Sequence, residues 1–419
     1  MGMLRFQSQA GTDQMSALDR LARRFVLRTL ARFPVGRLQL VEPDGNRLLI
    51  GEGHPAAALR ILDWRAYRML FTGGALGAGE GWMEELWDSD DLVGVVRFFA
   101  ANIEPMQALE GGAARMLQPL RSMLHSFNRN SITGSRRNIA AHYDLGNDFF
   151  RLFLDPTMMY SSAIYAREDM TLEEAALHKL DVICRKLQLG PDNHLLEIGT
   201  GWGGLALHAA RHYGCRVTTT TISAEQYAYA CARVSEAGLA DRVTVLDQDY
   251  RQLTGRYDRI VSVEMIEAVG HQYLPGYFAR LNDLLTDDGL LLLQAITIPD
   301  QRYHYALRQV DFIKRYIFPG GFLPSLRVIC SGLGRHTRLQ PEQVDDIGLD
   351  YARTLADWRS RFLAARQQVA ALGFDERFRR MWDYYLCYCE GAFREGAIST
   401  VQLLGGRPPP RRGRPAAQG

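Results

Sequence analysis

Residues 194 to 298 alternate short apolar runs with amphipathic helical patterns, and this alternation limits the fold more than any other feature. Strands are predicted at HLLEIG, CRVTTTTI, RVTVLDQD, RIVSVEM and LLLLQAITI, and helices at 204–213, 223–238 and 273–286. The strands are apolar or β-branched on both faces, which is typical of parallel strands covered by helices on both sides. The pattern predicts an α/β fold with a doubly wound, Rossmann-like sheet.

A glycine-rich loop separates the first of these strands from its helix, in the stretch LLEIGTGWGGLALHAA. Gly199, Gly201 and Gly204 match G-x-G-x-x-G, which lets a ligand approach backbone amides at a helix N-terminus. A dinucleotide site also needs an acidic residue about 20 positions further on. The second strand instead ends in threonines, at 218–221. Glu197 places a carboxylate beside the loop, which favours the cationic sulfonium of S-adenosylmethionine over NAD.

The length of 419 residues exceeds what one hydrophobic core usually organises, so two domains are predicted. We place a small α+β domain at 1–125, a polar linker at 126–137, the sheet-containing domain at 138–405 and a Pro/Arg-rich tail at 406–419. The net charge of +2 gives no reason to expect a nucleic-acid partner. The six cysteines show no zinc-binding or redox spacing, and no apolar run is long enough to span a membrane, which favours a cytoplasmic protein.

The N-terminal domain begins with a cationic amphipathic helix, predicted from Ala17 to Phe33 and carrying five arginines. Two interpretations of its apolar face stay open: it packs on its own domain, or it contacts an anionic membrane surface. The segment from Pro43 to Asn46 predicts a hairpin turn. A further helix is expected to start at Ser89 or Asp90.

Five motifs in register resemble the cyclopropane-fatty-acyl-phospholipid synthase family and its relatives, the mycolic acid cyclopropane synthases. They are EIGTGWGGLA, TISAEQ, HYDLGNDFFRLFLDPTMMYSSAIY, VSVEMIEAVG and KRYIFPGGFLPS. The resemblance runs from about His142 to the helix around Tyr385, and GAGEGWMEELWDSDDL resembles the small lipid-associated domain of the bacterial phospholipid enzymes. It implies a class I methyltransferase fold.

The resemblance also implies that the cofactor is S-adenosylmethionine. Its expected binding residues are Tyr160, Ser161, Glu197, Gly199, Gly201, Gly203, Thr221, Ile222, Gln226, Asp249 and Tyr250. Among them, Tyr160 and Ser161 would meet the carboxylate end of the cofactor, and Asp249 and Tyr250 would meet the adenine.

The implied substrate is the double bond of an unsaturated acyl chain of a membrane phospholipid. Methyl transfer to that double bond gives a carbocation, which loses a proton as a cyclopropane ring closes. An acyl-binding insert is expected at about 299–350, where Tyr303, Tyr305, Phe312, Tyr316 and Phe318 either face the cation or belong to the core. Peripheral association with the inner membrane face and a homodimer are further implications.

The base that takes the proton is, by resemblance, a bound bicarbonate. Glu267, Ile296 and Tyr351 match the family residues that hold it, whereas Ser162 and Gln294 replace a cysteine and a histidine. Serine and glutamine still donate hydrogen bonds, but glutamine cannot become a cation near neutral pH. No role is assigned to Glu264. His142 and Tyr143 are expected near cofactor or substrate.

These two replacements leave the outcome of the reaction open. One alternative is a methyl-branched or methylene product without ring closure. A small-molecule N- or O-methyltransferase would need a general base after the fourth strand, where Ala268 and Val269 offer none. A non-catalytic lipid-binding factor is the alternative outside enzymes.

Overall fold

A computed structural model of the chain describes residues 15–110 and 145–407, without side-chain detail for 107–110. The predicted linker, His142, Tyr143 and all of the tail beyond Arg407 lie outside the described residues.

The N-terminal domain packs helices on a small four-stranded sheet. Its elements are α1 (Ala17–Leu30), β1 (Gly36–Val41), β2 (Arg47–Glu52), β3 (Ala56–Ile61), α2 (Arg65–Met83), β4 (Trp87–Asp88), α3 (Leu92–Ala101) and α4 (Ile103–Glu110). The strand order is β2-β1-β3-β4. The hairpin turn between β1 and β2 contains Gly45 with φ of +84°, a conformation that glycine adopts without strain. Helix α3 is capped by Asp91, whose carboxylate accepts from the Gly94 amide, so its predicted start at Ser89 or Asp90 was one to two residues early.

Helix α1 confirms the predicted amphipathic pattern and buries Ala22, Val26 and Leu30 against its own domain. Glu42 anchors this packing from inside the domain. Its carboxylate accepts hydrogen bonds from the Arg23 guanidinium at 2.5 and 2.6 Å and from the Tyr67 hydroxyl at 2.6 Å.

The second domain contains a seven-stranded sheet. Its strands are β5 (His194–Ile198), β6 (Arg216–Thr221), β7 (Val243–Asp247), β8 (Tyr257–Val263), β9 (Leu285–Thr297), β10 (Gln340–Asp346) and β11 (Ser399–Gly406). The order is β10-β11-β9-β8-β5-β6-β7. The five strands from β5 to β9 are parallel, as predicted, and β10 and β11 join antiparallel at one edge.

Helices cover both faces of this sheet. They are α5 (Asn147–Arg151), α6 (Leu172–Lys186), α7 (Gly204–Tyr213), α8 (Ala224–Glu236), α9 (Leu274–Leu284), α10 (Asp300–Arg308), α11 (Leu326–His336), α12 (Gly348–Ala364), α13 (Arg366–Ala371) and α14 (Glu376–Arg394). A short π-helix occupies Ile313–Ile317. Among the described residues, no helix has the combined length and apolarity that crossing a bilayer requires.

The insert expected at about 299–350 contains α10, α11 and β10. One expected boundary of the second domain is wrong. The tail does not begin at residue 406, because Gly406 is the last residue of β11 and pairs with Leu290 of β9. Strand β11 is buried throughout its apolar residues, which explains why it completes the sheet rather than extending into solvent.

Helix α14 joins the two domains by packing on α2 and α3. The Arg380 guanidinium lies 4.0 Å from the centre of the Trp82 ring and donates to the Trp82 carbonyl at 2.6 Å. The Trp82 indole in turn donates to the Arg380 carbonyl at 3.0 Å. Glu395 receives a hydrogen bond from Arg97 of α3 at 2.6 Å. These contacts fix the N-terminal domain against the helices of the larger domain.

Candidate active site

The glycine-rich loop lies where β5 ends and α7 begins, at the carboxyl edge of the parallel strands. Gly199 and Gly201 have φ of +100° and +52°, and residues with a Cβ atom rarely adopt such angles. A Cβ atom on Gly204 would lie 2.8 Å from the Thr157 carbonyl oxygen. These glycines therefore serve a tight turn and close packing at a helix N-terminus, the geometry expected of a cofactor loop.

A cavity of about 490 Å³ opens above this loop. The predicted residues that line it are Tyr160, Ser161, Glu197, Gly199, Gly201, Thr221, Ile222, Gln226, Asp249, Tyr250, Glu267, Ile296 and Tyr351. Three predicted residues are not among the lining residues. Gly203 caps α7 with φ of +84°, and Ser162 and Gln294 are fully buried behind the wall.

Polar groups that follow β6 and β7 line one end of the cavity. Thr221 donates to the Gln226 side chain at 3.1 Å, which fixes both near the end of β6. Asp249 is buried and bound by Arg251 through two hydrogen bonds, at 2.8 and 2.6 Å. The Tyr250 ring packs edge-on against Tyr277 at 5.4 Å. An apolar ring beside fixed polar groups suits an adenosine moiety.

Two buried charged residues lie beneath the loop. Glu197 accepts a hydrogen bond from the Thr219 hydroxyl at 2.6 Å, and burial raises the pKa of its carboxyl. Lys179 of α6 is fully buried and donates to the Ser161 hydroxyl at 2.9 Å, and burial lowers the pKa of its ammonium. Because Lys179 attracts Glu197, each charge offsets part of the cost of burying the other. Lys179 was not among the residues predicted for the site.

The segment before α6 holds Tyr160 and Ser161 against the loop. The Asp155 carboxylate accepts from the amides of Thr157 and Met159, at 2.7 and 3.2 Å, and so closes a tight turn. The hydroxyl groups of Tyr160 and Tyr385 are 3.0 Å apart. The expected carboxylate-binding residues are thus held in place by contacts from three separate parts of the chain.

Glu264, to which the sequence analysis gave no role, is the centre of a hydrogen-bond cluster on the cavity wall. Its Oε1 atom accepts from the Ser162 amide at 3.0 Å and from the Gln294 side-chain amide at 2.8 Å. Its Oε2 atom accepts from the Tyr351 hydroxyl at 2.8 Å. The structure therefore brings Ser162, Gln294 and Tyr351 together, as predicted, but around a carboxylate of the chain itself.

Glu267 follows one turn later and lines the same wall. Its Oε1 atom accepts from the Ile296 amide at 2.6 Å, while its Oε2 atom is shielded from solvent without a hydrogen-bond partner. Burial, with the nearby charge of Glu264, raises the pKa of Glu267 to about 8. The Oε2 atom therefore keeps a hydrogen-bonding capacity that the described residues leave unused.

Most of the remaining cavity wall is apolar and comes from both domains, with Arg302, Gln309, Asp311 and Lys314 as polar exceptions. The N-terminal domain contributes residues of α2, α3 and α4, including Leu70, Ala78, Val95, Val96, Phe99 and Met106. Of the five aromatic residues singled out in the insert, Tyr305 and Phe318 line the cavity. Tyr303 and Phe312 are buried in the core, and Tyr316 donates to Glu80 at 2.9 Å. The cavity thus joins a polar end at the loop to a long apolar end.

Several known proteins are similar to this chain in sequence and fold. The family model described as mycolic acid cyclopropane synthetase matches residues 130–403. The chain is 38% identical over 398 residues to tuberculostearic acid methyltransferase UfaA1 of Mycobacterium tuberculosis, covering 91% of this chain and 90% of that protein. It is 40% identical over 359 residues to the cyclopropane-fatty-acyl-phospholipid synthase of Escherichia coli, covering 84% of this chain and 88% of that protein.

Among solved structures, mycolic acid cyclopropane synthase CmaA1 complexed with SAH and CTAB aligns with a TM-score of 0.61 and 33% identity. The alignment covers 65% of this chain and 98% of that chain. The predicted class I methyltransferase fold and the resemblance drawn from the motifs are both confirmed. The chain belongs to the mycolic acid cyclopropane synthetase family and is an S-adenosylmethionine-dependent methyltransferase.

Proposed function

We propose that this enzyme transfers a methyl group to the double bond of an unsaturated acyl chain of a membrane phospholipid. The observation that carries the proposal is the cavity above the glycine loop, whose end at the loop is polar and whose other walls are mostly apolar. An acyl chain is the kind of ligand that an extended apolar cavity accepts. The names of the relatives, which include a cyclopropane-fatty-acyl-phospholipid synthase, support the same class of substrate.

The residues around the glycine loop fit S-adenosylmethionine. Gly199 and Gly201 leave room for the methionine part of the cofactor. Tyr160 and Ser161 are the groups we assign to its carboxylate end, and Glu197 is the buried acidic residue that we place near the sulfonium. When bound, S-adenosylmethionine supplies an electrophilic methyl group. The buried carboxyl of Glu197 would lie beside the sulfonium, and binding of that permanent cation would favour ionisation of Glu197 by Coulomb attraction.

The apolar walls provide the fixed orientation and the water-free surroundings that an alkene nucleophile needs. An alkene reacts poorly unless it is held at a fixed angle and distance, so the chain must orient the double bond against the loop. Water must be excluded, since it would capture the carbocation. Tyr305 and Phe318 line this region and present rings that stabilise positive charge. Ring closure is the outcome we propose, with a methyl-branched or methylene chain as the alternative product.

We further propose that α1 contacts an anionic membrane at its cytoplasmic face. Leu18 and Leu21 are 63% and 60% exposed, and Arg24 and Arg28 are exposed at helical spacing on the same side. Exposed leucines flanked by arginines are typical of a helix lying in a lipid interface. The homodimer implied by the resemblance stays a prediction, to be checked by sedimentation.

The function is tested by incubating the chain with S-adenosylmethionine and vesicles of an unsaturated anionic phospholipid. We expect fatty acids that gain one CH2 group in mass, and proton NMR then separates cyclopropane, methyl and methylene products. Vesicles of the saturated lipid are the control and should give no product. Absence of any methylated chain from the unsaturated lipid would refute the proposal.

Membrane contact is tested with the double variant Leu18→Glu/Leu21→Glu. We expect it to lose sedimentation with anionic vesicles and to keep its affinity for S-adenosylmethionine. Leu372→Glu is the matched control, because Leu372 is 44% exposed in the other domain. Equal vesicle binding by all three proteins would contradict a role for α1.

A further inference from the structure

We propose that the Glu264 carboxylate is the proton acceptor of the reaction and takes the position of an external anion. The inference rests on the proposed function, which creates a cationic substrate that must lose a proton. The resemblance gives that proton to a bicarbonate held by the positions of Ser162, Gln294 and Tyr351. In this chain all three donate to Glu264 instead.

The hydrogen bonds around Glu264 leave one acceptor position free. An ionised carboxylate offers about four lone-pair positions. Two on Oε1 are used by Ser162 and Gln294, and one on Oε2 is used by Tyr351. Because Glu264 lines the cavity, the remaining position on Oε2 is the one available to a substrate proton.

A chain of polar side chains fixes Gln294 as a donor to Glu264. Lys186 has three donors and no acceptor, so Gln402 turns its amide oxygen toward the Lys186 ammonium, at 2.6 Å. The Gln402 NH2 group then donates to the Gln294 oxygen at 2.9 Å. That leaves the Gln294 NH2 group for Glu264, at 2.8 Å. Asp345 holds Lys186 from the other side, at 2.5 Å.

The backbone at Glu264 is also unusual. Its φ is +49°, a region that residues with a Cβ atom seldom occupy. Its amide donates to the Gln294 carbonyl at 2.8 Å, which clamps the residue where β8 ends. Such strain in a non-glycine residue is found mainly at functional sites, where the surrounding structure holds it in place. A glycine would fit this backbone without strain, yet the chain places a carboxylate here.

The charges around Glu264 distinguish it from its neighbour Glu267. The titratable groups that face Glu264 are Lys179 from α6, Tyr351 from α12, Tyr385 from α14 and Glu267 itself. Burial raises the pKa of Glu264, but three hydrogen bonds and Lys179 act against that rise. Only backbone hydrogen bonds act against the rise in the pKa of Glu267, so its carboxyl is mostly protonated at neutral pH. Glu264 is therefore the carboxyl whose ionised form is favoured by its hydrogen-bond donors and by Lys179, as a proton acceptor requires.

The proton transfer balances without a further reactant. For ring closure, a C–H bond of the transferred methyl group breaks and its electron pair bonds the methyl carbon to the cationic carbon. For an unsaturated product, a C–H bond on a carbon adjacent to the cationic carbon breaks and its electron pair forms the double bond. The proton forms an O–H bond with Glu264, which neutralises the carboxylate. It passes to water as the product leaves, and this step restores the anion for the next turnover.

Anion binding tests the proposal without relying on activity. Glu264→Gly removes the carboxylate and keeps the backbone conformation, so it should open a site for a small anion. We expect isotopically labelled formate and bicarbonate to bind saturably to this variant by NMR line broadening, and not to the wild-type chain. Binding to wild type as tight as to the variant, or no binding to the variant, would overturn the proposal.

Glu42→Gln is the matched control, because Glu42 is another buried carboxylate with a tyrosine donor and does not line the cavity. Titration with S-adenosylhomocysteine shows whether each variant is folded. We expect Glu42→Gln to resemble wild type in anion binding even where its stability is lower. A formate signal that appears in Glu42→Gln as well would trace the binding to loosened structure and overturn the assignment to Glu264.

Turnover measurements provide a second test of the proposal. In buffer freed of CO2 the wild-type chain should keep its full rate, and added bicarbonate should not change it. Glu264→Gln should lose at least about 100-fold in turnover without rescue, and Glu264→Gly should recover at least tenfold when formate is added. A wild-type rate that depends on bicarbonate would overturn the proposal. A wild-type chain that methylates no lipid refutes the proposed function instead, and the anion titration still decides about Glu264.

Discussion

Replacing Glu267 with glutamine should make the protein more stable, and increasingly so as the pH rises. Glu267 accepts one hydrogen bond through Oε1, from the Ile296 amide, and its Oε2 atom is buried without a partner. A glutamine carbonyl can accept the same hydrogen bond and is neutral at every pH. Glu267→Gln therefore removes a group that is costly to ionise while it keeps the contact to β9.

The magnitude follows from the difference between the folded and unfolded pKa of Glu267. The ordinary value of 4.5 is raised to about 8 by burial and by Glu264. Since the folded state holds the proton more tightly, the stability contributed by Glu267 is complete below pH 4.5 and is lost as the pH rises through 8. The loss is about 1.4 kcal/mol per pH unit in that window. The total reaches roughly 3–5 kcal/mol by pH 8.

Urea unfolding of wild type and Glu267→Gln at several pH values measures this difference directly. We expect nearly equal free energies of unfolding at pH 5 and a gap that widens in favour of the variant toward pH 8. Glu236→Gln, at an exposed position on α8, is the control and should change the free energy of unfolding by less than about 0.5 kcal/mol at each pH. Parallel pH curves for wild type and Glu267→Gln would refute the assignment of a buried, neutral Glu267.

Three further substitutions test other parts of the site. Tyr351→Phe removes a donor from Glu264, so the pKa of Glu264 should rise further and the acidic limb of the pH–rate profile should move to higher pH. The free energy of unfolding in urea should fall by about 1.5–3 kcal/mol. An acidic limb that stays at the wild-type pH would contradict this prediction. Gly199→Ala places a Cβ atom on a residue with φ of +100°, which costs about 1–3 kcal/mol of backbone strain. The affinity for S-adenosylmethionine, measured by calorimetry, should fall at least tenfold. An affinity equal to that of wild type would show that the loop adapts to the substitution. Lys179→Met removes the donor to Ser161 and should also weaken cofactor binding, by about tenfold, and unchanged affinity would limit Lys179 to a structural role.

The parallel strands and the cofactor loop could be predicted because their signals are local. Helix 204–213 follows directly from glycines before an apolar helical pattern, and its predicted bounds agree with the structure. Strand β11 was missed, because its order next to β9 depends on antiparallel pairing with residues more than 100 positions away. No local pattern carries that pairing.

The charged residues of the site were hard to predict for the same reason, because their contacts join distant parts of the chain. Glu264 receives donors from residues 162, 294 and 351, so its role appears only when four distant parts of the chain meet. Lys179 did carry a usable signal. It lies four residues from both Ala175 and Ile183 on the buried face of α6, where a lysine is out of place unless it has a partner.

The apolar wall built by α2, α3 and α4 lies outside the family match, which begins at residue 130. The glycine loop and Glu264 thus belong to one part of the chain, and this apolar wall belongs to another. Substitutions at Val96 or Phe99 can therefore reshape the apolar end of the cavity while Glu264 and the glycine loop stay as they are.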